Sequence, residues 1–216
     1  MSLFEGRDLL CVRGERNVFA RIGFALDDGQ ALVLRGSNGS GKSSLLRLMA
    51  GLLPPVKGTI DWDGAPIAGD PGAHNRRLHY VGHLDAVKPA LSVSENLSFW
   101  GALCRGQTKS EAVHRALLRF GLAPLADIPA RMLSAGQKRR LALSRLIASP
   151  AALWLLDEPT IGLDADSVAV LRDVIQEHLN EGGLAVIATH GDLAIAGAID
   201  LDLDRAACLD IADVLQ

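Results

Sequence analysis

The sequence predicts an α/β fold with a parallel-sheet core, and three observations carry that prediction. A glycine-rich loop, Gly36-Ser37-Asn38-Gly39-Ser40-Gly41-Lys42-Ser43, joins an apolar strand to a helical pattern. A second apolar strand, Leu153-Trp154-Leu155-Leu156, runs straight into Asp157-Glu158. Between them, from about residue 84 to residue 150, the apolar spacing turns helical. The expected architecture is one domain, 1–216, with an α/β core (1–83 and 151–216). An antiparallel strand layer lies at its N-terminal end, and a helical subdomain (84–150) is inserted.

The elements follow in order. Leu9 to Val12 and Val18 to Leu26 mix branched and apolar residues as strands do, and Asp27-Asp28-Gly29 is a turn. Ala31 to Arg35 is a short apolar strand ending at Gly36. Lys42 to Ala50 spaces Leu45, Leu46, Leu48 and Met49 along a helix that Gly51 stops. Pro54-Pro55 breaks the chain before a strand, Gly58 to Trp62, that closes at Asp63-Gly64. Ser92-Val93-Ser94-Glu95 has the form of a capping box, in which serine and glutamate satisfy the free amides of a helix start. The helix it opens runs through Phe99 and Trp100. Ser110 to Phe120 is amphipathic and stops at Gly121, and a third helix runs from near Ser134 to Ile147. After the strand at Leu153 come a helix (Ser167 to Leu179), a strand (Leu184 to Ala188) and a short tail.

Composition narrows the function classes. With 216 residues and 49% hydrophobic side chains the chain can bury a sizeable core. Aromatics are 4%, so that core is mainly Leu, Ala, Val and Ile. A net charge of -3 argues against a nucleic-acid partner, and none is expected. Cys11, Cys104 and Cys208 are far apart, without metal or redox spacing, and are expected as reduced thiols in a cytosolic protein. The start, Met-Ser-Leu-Phe-Glu-Gly-Arg, does not have the form of a signal peptide. No apolar run approaches the roughly 18 to 20 residues of a membrane helix. Work at a membrane would therefore need a partner that spans it.

The glycine-rich loop fits the P-loop pattern. Its glycines let successive N–H groups turn inward onto phosphate oxygens, and the helix from Lys42 adds its positive dipole end. Lys42 is expected at the β- and γ-phosphates and the Ser43 hydroxyl on Mg²⁺, with Ser44 beside it. A parallel strand beside the loop's own strand would bring Asp157 and Glu158 to the same end of the sheet. Asp157 then suits a water-mediated hold on Mg²⁺, and Glu158 suits general-base work on a water that attacks the γ-phosphate. In isolation an Asp-Glu pair at a strand end is equally a solvated loop start. The neighbouring P-loop is what favours catalysis.

Leu133-Ser134-Ala135-Gly136-Gln137 lies between the two motifs. With it the chain resembles the nucleotide-binding domains of ATP-binding cassette (ABC) transporters, whose signature reads LSGGQ; here Ala135 takes the third place. The resemblance implies a P-loop NTPase fold with a RecA-like core, ATP and Mg²⁺ as cofactors, and a homodimer. In that dimer Ser134, Ala135, Gly136 and Gln137, with Asp164 at the D-loop position, face ATP held by the second copy. His190, after a strand and Thr189, matches the switch histidine that contacts the γ-phosphate. The order of P-loop, signature, acid pair, Asp164 and His190 spans essentially the whole chain.

A narrower resemblance concerns the ATP-binding subunits of the haem exporters of cytochrome c maturation. It rests on Gly82-His83, Lys88, Glu95-Asn96-Leu97 and Arg139-Arg140-Leu141-Ala142-Leu143 with the P-loop and signature. It implies permease subunits of that export system as partners and a place on the cytoplasmic face of the bacterial inner membrane. The broader alternatives are another ABC exporter, a soluble cassette ATPase, or a nucleotide sensor that does not turn over.

Two positions depart from the family. Most cassettes carry an adenine-stacking aromatic about 23 positions before the first P-loop glycine, and here that count reaches Arg13. A guanidinium plane can stack on a base, and a merely solvated Arg13 is the equal alternative. The glutamine expected after Tyr80-Val81-Gly82, a link from Mg²⁺ to the membrane subunit, is replaced by His83. His74, His79 and His83 have no metal-ligand spacing. The run Lys138-Arg139-Arg140 is expected on the exposed face of the signature helix.

Overall fold

The core strands are apolar throughout, and because successive side chains alternate between faces, both faces of one sheet are buried, which dictates a layered structure. The computed structural model describes residues 3–14, 16–105, 109–191 and 193–207. Five parallel strands form the central sheet: β3 (Ala31–Arg35), β6 (Leu78–Val81), β7 (Leu153–Asp157), β8 (Leu184–Ala188) and β9 (Ile199–Asp202), in the order β6-β7-β8-β3-β9. A second, antiparallel sheet has the order β2-β1-β4-β5, from β1 (Leu3–Arg13), β2 (Arg16–Asp27), β4 (Lys57–Trp62) and β5 (Ala65–Pro66).

The alternation decides which layer covers which face. Leu153 and Leu155 of β7 and Leu184, Val186 and Ala188 of β8 pack toward helix α1 (Lys42–Met49) and the antiparallel sheet. Trp154, Leu156, Ala185 and Ile187 point the other way. They meet α5 (Ala135–Ala148) and α6 (Ala165–Asn180), and the same apolar cluster continues into α3 (Val93–Arg105) and α4 (Ser110–Arg119). Two short helices complete the fold, α2 (Pro71–Arg76) before β6 and α7 (Leu203–Ala207) after β9.

Several expectations are met closely. Ser92 and Glu95 form the capping box reciprocally: the Glu95 amide donates to Ser92 Oγ at 3.2 Å, and the Ser92 amide donates to Glu95 Oε2 at 2.7 Å. Three details differ. β1 and β2 are longer than expected, because bulges between Gly6 and Val12 let the strand keep pairing while it bends. The tail is not structureless: β9 pairs with β3, and α7 packs beside β2 and β3. Finally, β7 does not lie beside β3, since β8 stands between them. Cys11 is buried and its thiol is pushed up by burial, while Cys208 lies outside the described residues. No helix among the described residues is long and apolar enough to cross a membrane.

Candidate active site

The parallel register places three loops at one edge of the sheet. Leu34 of β3 pairs with Ala188 of β8, and Ala188 pairs with Asp157 of β7. The glycine-rich loop, the acid pair and His190 therefore leave the sheet side by side. They line a cleft of about 290 Å³ that includes Asn38, Gly39, Lys42, Ser43, Glu158 and His190. This is the edge where open α/β sheets bind ligands.

The loop is shaped by backbone only glycine adopts easily. Gly36, Gly39 and Gly41 have φ of 138°, 87° and 103°. At Gly41, the residue that opens α1, a Cβ would stand 2.6 Å from Val18 Cγ1 and 2.8 Å from Phe19 Cδ1. Any side chain there would push the loop off the β1–β2 hairpin. Lys42 is 7% exposed, and its Nζ donates to the carbonyls of Gly36 (2.7 Å) and Ser37 (3.0 Å). An ammonium has three donors, so one remains to face the cleft. Ser43 Oγ donates to Asp157 Oδ1 at 3.0 Å, across the gap that β8 creates. Ser44 also lines the cleft, whereas the Ser40 hydroxyl is buried without a hydrogen-bond partner.

Glu158 has φ of 47°, a left-handed conformation rare for a residue with a side chain and rarer still before a proline. Its amide donates to Ala188 O at 2.8 Å, and the His190 amide approaches its Oε2 at 3.3 Å. His190 Nε2 lies 3.4 Å from Glu158 Oε1, an oxygen that is buried and makes no hydrogen bond. A carboxylate in that condition is a receptive acceptor for a donor entering the cleft.

Hydroxyl and carboxylate oxygens from Ser43 and Asp157 suit Mg²⁺, which prefers oxygen ligands and commonly completes its shell with phosphates and water. Among the described residues no three His, Cys, Asp or Glu side chains converge as a self-sufficient metal site. The protein's donors thus fit a Mg²⁺ that arrives with a nucleotide triphosphate.

The signature turn lies elsewhere on the surface. Ser134 caps α5 by accepting from the Gln137 amide at 3.2 Å, while Gln137 Oε1 accepts from the Ser134 amide at 2.8 Å. Ser134 and Ala135 are exposed, and Gly136 approaches Gly162 O so closely that a Cβ would stand 3.0 Å from it. Asp164 caps α6 by accepting from the Ser167 amide at 2.8 Å, and the bonds to Ser167 hold its carboxyl below the usual range. Within one chain neither Ser134 nor Asp164 lines the cleft at the P-loop.

Other expected residues divide. Arg13 is exposed at the tip of the β1–β2 hairpin, opposite Arg16. From the same hairpin it is Val18 that lines the cleft. His83 is exposed and borders a recess of about 190 Å³ with Ala135, Arg139 and Glu158. His74 and His79 are buried, with ring nitrogens on the carbonyls of Met49 and Ser149, which accounts for them as core histidines.

Two residues escaped sequence reasoning. Asp204 of α7 accepts from the Ser37 amide and hydroxyl, both at 2.8 Å, bracing the loop from the tail. Arg139, expected on an exposed face, is only 5% exposed and bonds to the acid turn. The helical phase places it two residues past the capping box, toward the sheet.

Comparison with known proteins decides the family. The ABC transporter profile matches residues 19–161, two thirds of the chain and most of the site. This chain belongs to the ABC transporter family. The cassette is 58% identical over 207 residues to the cytochrome c biogenesis ATP-binding export protein CcmA of Rhodospirillum rubrum, covering 95% of this chain and 88% of that protein. The protein of the same name from Paramagnetospirillum magneticum is 57% identical, with 95% and 96% covered. A solved Pyrococcus furiosus chain described as an ABC transporter ATP-binding protein superposes with a TM-score of 0.84 at 26% identity, covering 95% of this chain and 99% of that one.

Proposed function

We propose that this cassette is the ATP-hydrolysing subunit of an export complex that serves cytochrome c biogenesis, with haem as its cargo. The observation that carries the reading is the convergence of Lys42, Ser43, Asp157, Glu158 and His190 in one cleft. The CcmA relatives support the export system.

The site residues have separable tasks. Amides of Gly39 to Ser43, with Lys42, hold the phosphates in place. Ser43, and Asp157 through water, would hold Mg²⁺, which would supply neutralisation of phosphate charge. Glu158 accepts the proton of a water aligned with the γ-phosphorus, and His190 keeps Glu158 aimed while its ring reaches the γ-phosphate. Ser134, Ala135, Gly136 and Gln137, with Asp164, meet the nucleotide of a second copy. A single chain then supplies half of the γ-phosphate's contacts, and turnover requires the dimer. Preorganised electrostatics supply most phosphoryl-transfer catalysis, so a lone chain should hydrolyse slowly.

Membrane subunits complete the complex. Phe99, Leu103 and Leu84 are 40%, 66% and 81% exposed, an apolar set that supports docking of a permease on the cytoplasmic face of the inner membrane.

Glu158→Gln tests the base directly. It should retain ATP binding, lose turnover by on the order of 1000-fold and accumulate an ATP-bound dimer, measured by phosphate release and size-exclusion chromatography. Normal turnover would remove Glu158 from its role. Copurification of cytochrome-maturation membrane subunits, identified by mass spectrometry, checks the partner; a different permease overturns that part.

A further inference from the structure

Glu158 occupies a conformation its sequence disfavours twice, as a non-glycine residue at positive φ and as the residue before Pro159. Something must hold it there, and strain of this kind persists only where surroundings over-determine it. The amide is fixed by Ala188 O. The carbonyl side is fixed by Arg139.

We propose that Arg139 is the positioning residue for the catalytic base, tying the acid turn and the loop after β6 to the signature helix. The proposal rests on the reading of Glu158 as general base. Each nitrogen of the guanidinium is engaged. Nε donates to Pro159 O at 3.2 Å. Nη2 donates to Asp157 O at 3.1 Å and to Glu158 O at 2.7 Å. Nη1 donates to Gly82 O at 3.0 Å and Asp85 Oδ1 at 3.1 Å. Arginine carries five N–H donors in a rigid fork, and all five have an acceptor here. Three consecutive carbonyls, 157 to 159, are thereby held by one planar group, which fixes the peptide planes on both sides of Glu158.

The location of the fork matters as much as its count. Arg139 belongs to α5, whose first turn is the signature, while Gly82 and Asp85 flank His83. A movement of α5, as when the signature engages a second copy's nucleotide, therefore acts through one rigid guanidinium on the backbone of the base. It acts equally on the loop where His83 replaces the family's glutamine. Lysine cannot substitute: it has three donors on a flexible stem and no plane.

The test uses the full-length chain in its assembled complex, with Arg139→Lys and Arg139→Met. Misplacing a reacting group by about 1 Å can cost on the order of 100-fold. Arg139→Met should therefore lower kcat by about 100-fold and Arg139→Lys by at least about 10-fold, with the Kd for Mg-ATP within about two-fold of the parent. A control isolates positioning from folding: Arg139→Met combined with Glu158→Gln should still accumulate the ATP-bound dimer. An unchanged kcat in both Arg139 variants overturns the proposal. So does loss of ATP binding or of the trapped dimer, which would make Arg139 a fold-stabilising residue only. If Glu158→Gln alone keeps full turnover, the base assignment fails instead, and the two failures are distinguishable.

Discussion

The P-loop and the signature turn both lie at helix N-termini, yet they are built in opposite ways. The P-loop is closed within the chain: Lys42 is nearly buried on the loop's own carbonyls, Ser43 is bonded to Asp157, and Asp204 braces Ser37 from the tail. The signature turn is exposed, and its capping groups satisfy one another through Ser134 and Gln137. One region is tied together by its own chain, whereas the other is a capped, exposed surface, which fits the proposed contact with a second copy. A helix start that is rigid, capped and exposed loses little entropy on meeting an anion, which suits contact across an interface.

The comparison can be broken at either end. The largest expected effect is on the closed side. Lys42→Ala should weaken ATP binding to the isolated chain by roughly 100-fold or more, since removing a charge from a desolvated contact costs about 2 to 5 kcal/mol. Calorimetric titration with Mg-ATP measures it, and near-parent affinity would contradict the P-loop role. On the open side, Ser134→Asp keeps a good N-cap but places negative charge where the second copy's γ-phosphate would approach. Turnover of the assembled dimer should fall by on the order of 100-fold, while ATP affinity of the isolated chain stays within about two-fold. A drop in that affinity would mean that Ser134 acts within its own chain.

The smallest effect concerns stability, and each side has a histidine whose protonation burial disfavours. His74, on the antiparallel-sheet side, and His178, stacked on Trp154 on the helical side, are both held below the ordinary value of 6.5, chiefly by burial. The unfolded chain takes up these protons first as pH falls. Their contribution is thus complete above 6.5 and is lost progressively below it. Thermal melts between pH 7.5 and 5.5 should show a falling Tm, and His178→Gln should flatten part of that slope. A Tm rising through this window would contradict the sign.

Much of the site was legible because its chemistry is local. Three glycines before a lysine, two acids closing an apolar strand, and Ser-x-x-Gln at a helix start each declare a backbone need within a few residues. Arg139 was not legible for a physical reason: a basic run suggests a solvated face, and only helical phase relative to the packed sheet shows which member turns inward. Asp204 was hidden likewise, since its partner Ser37 lies 167 residues away.

By itself, then, the sequence determined the layered α/β class, the phosphate loop, the identity of the acids and the capped signature helix. These follow from side-chain periodicity and from hydrogen-bond needs that neighbours in the chain satisfy. The tertiary structure alone decided that β8 separates the loop's strand from the acids', and that Arg139 holds the left-handed turn at Glu158. It also decided that the tail returns to brace the P-loop. Strand order and the destination of a buried guanidinium are set by which distant segments pack together, and no short stretch of chain carries that information.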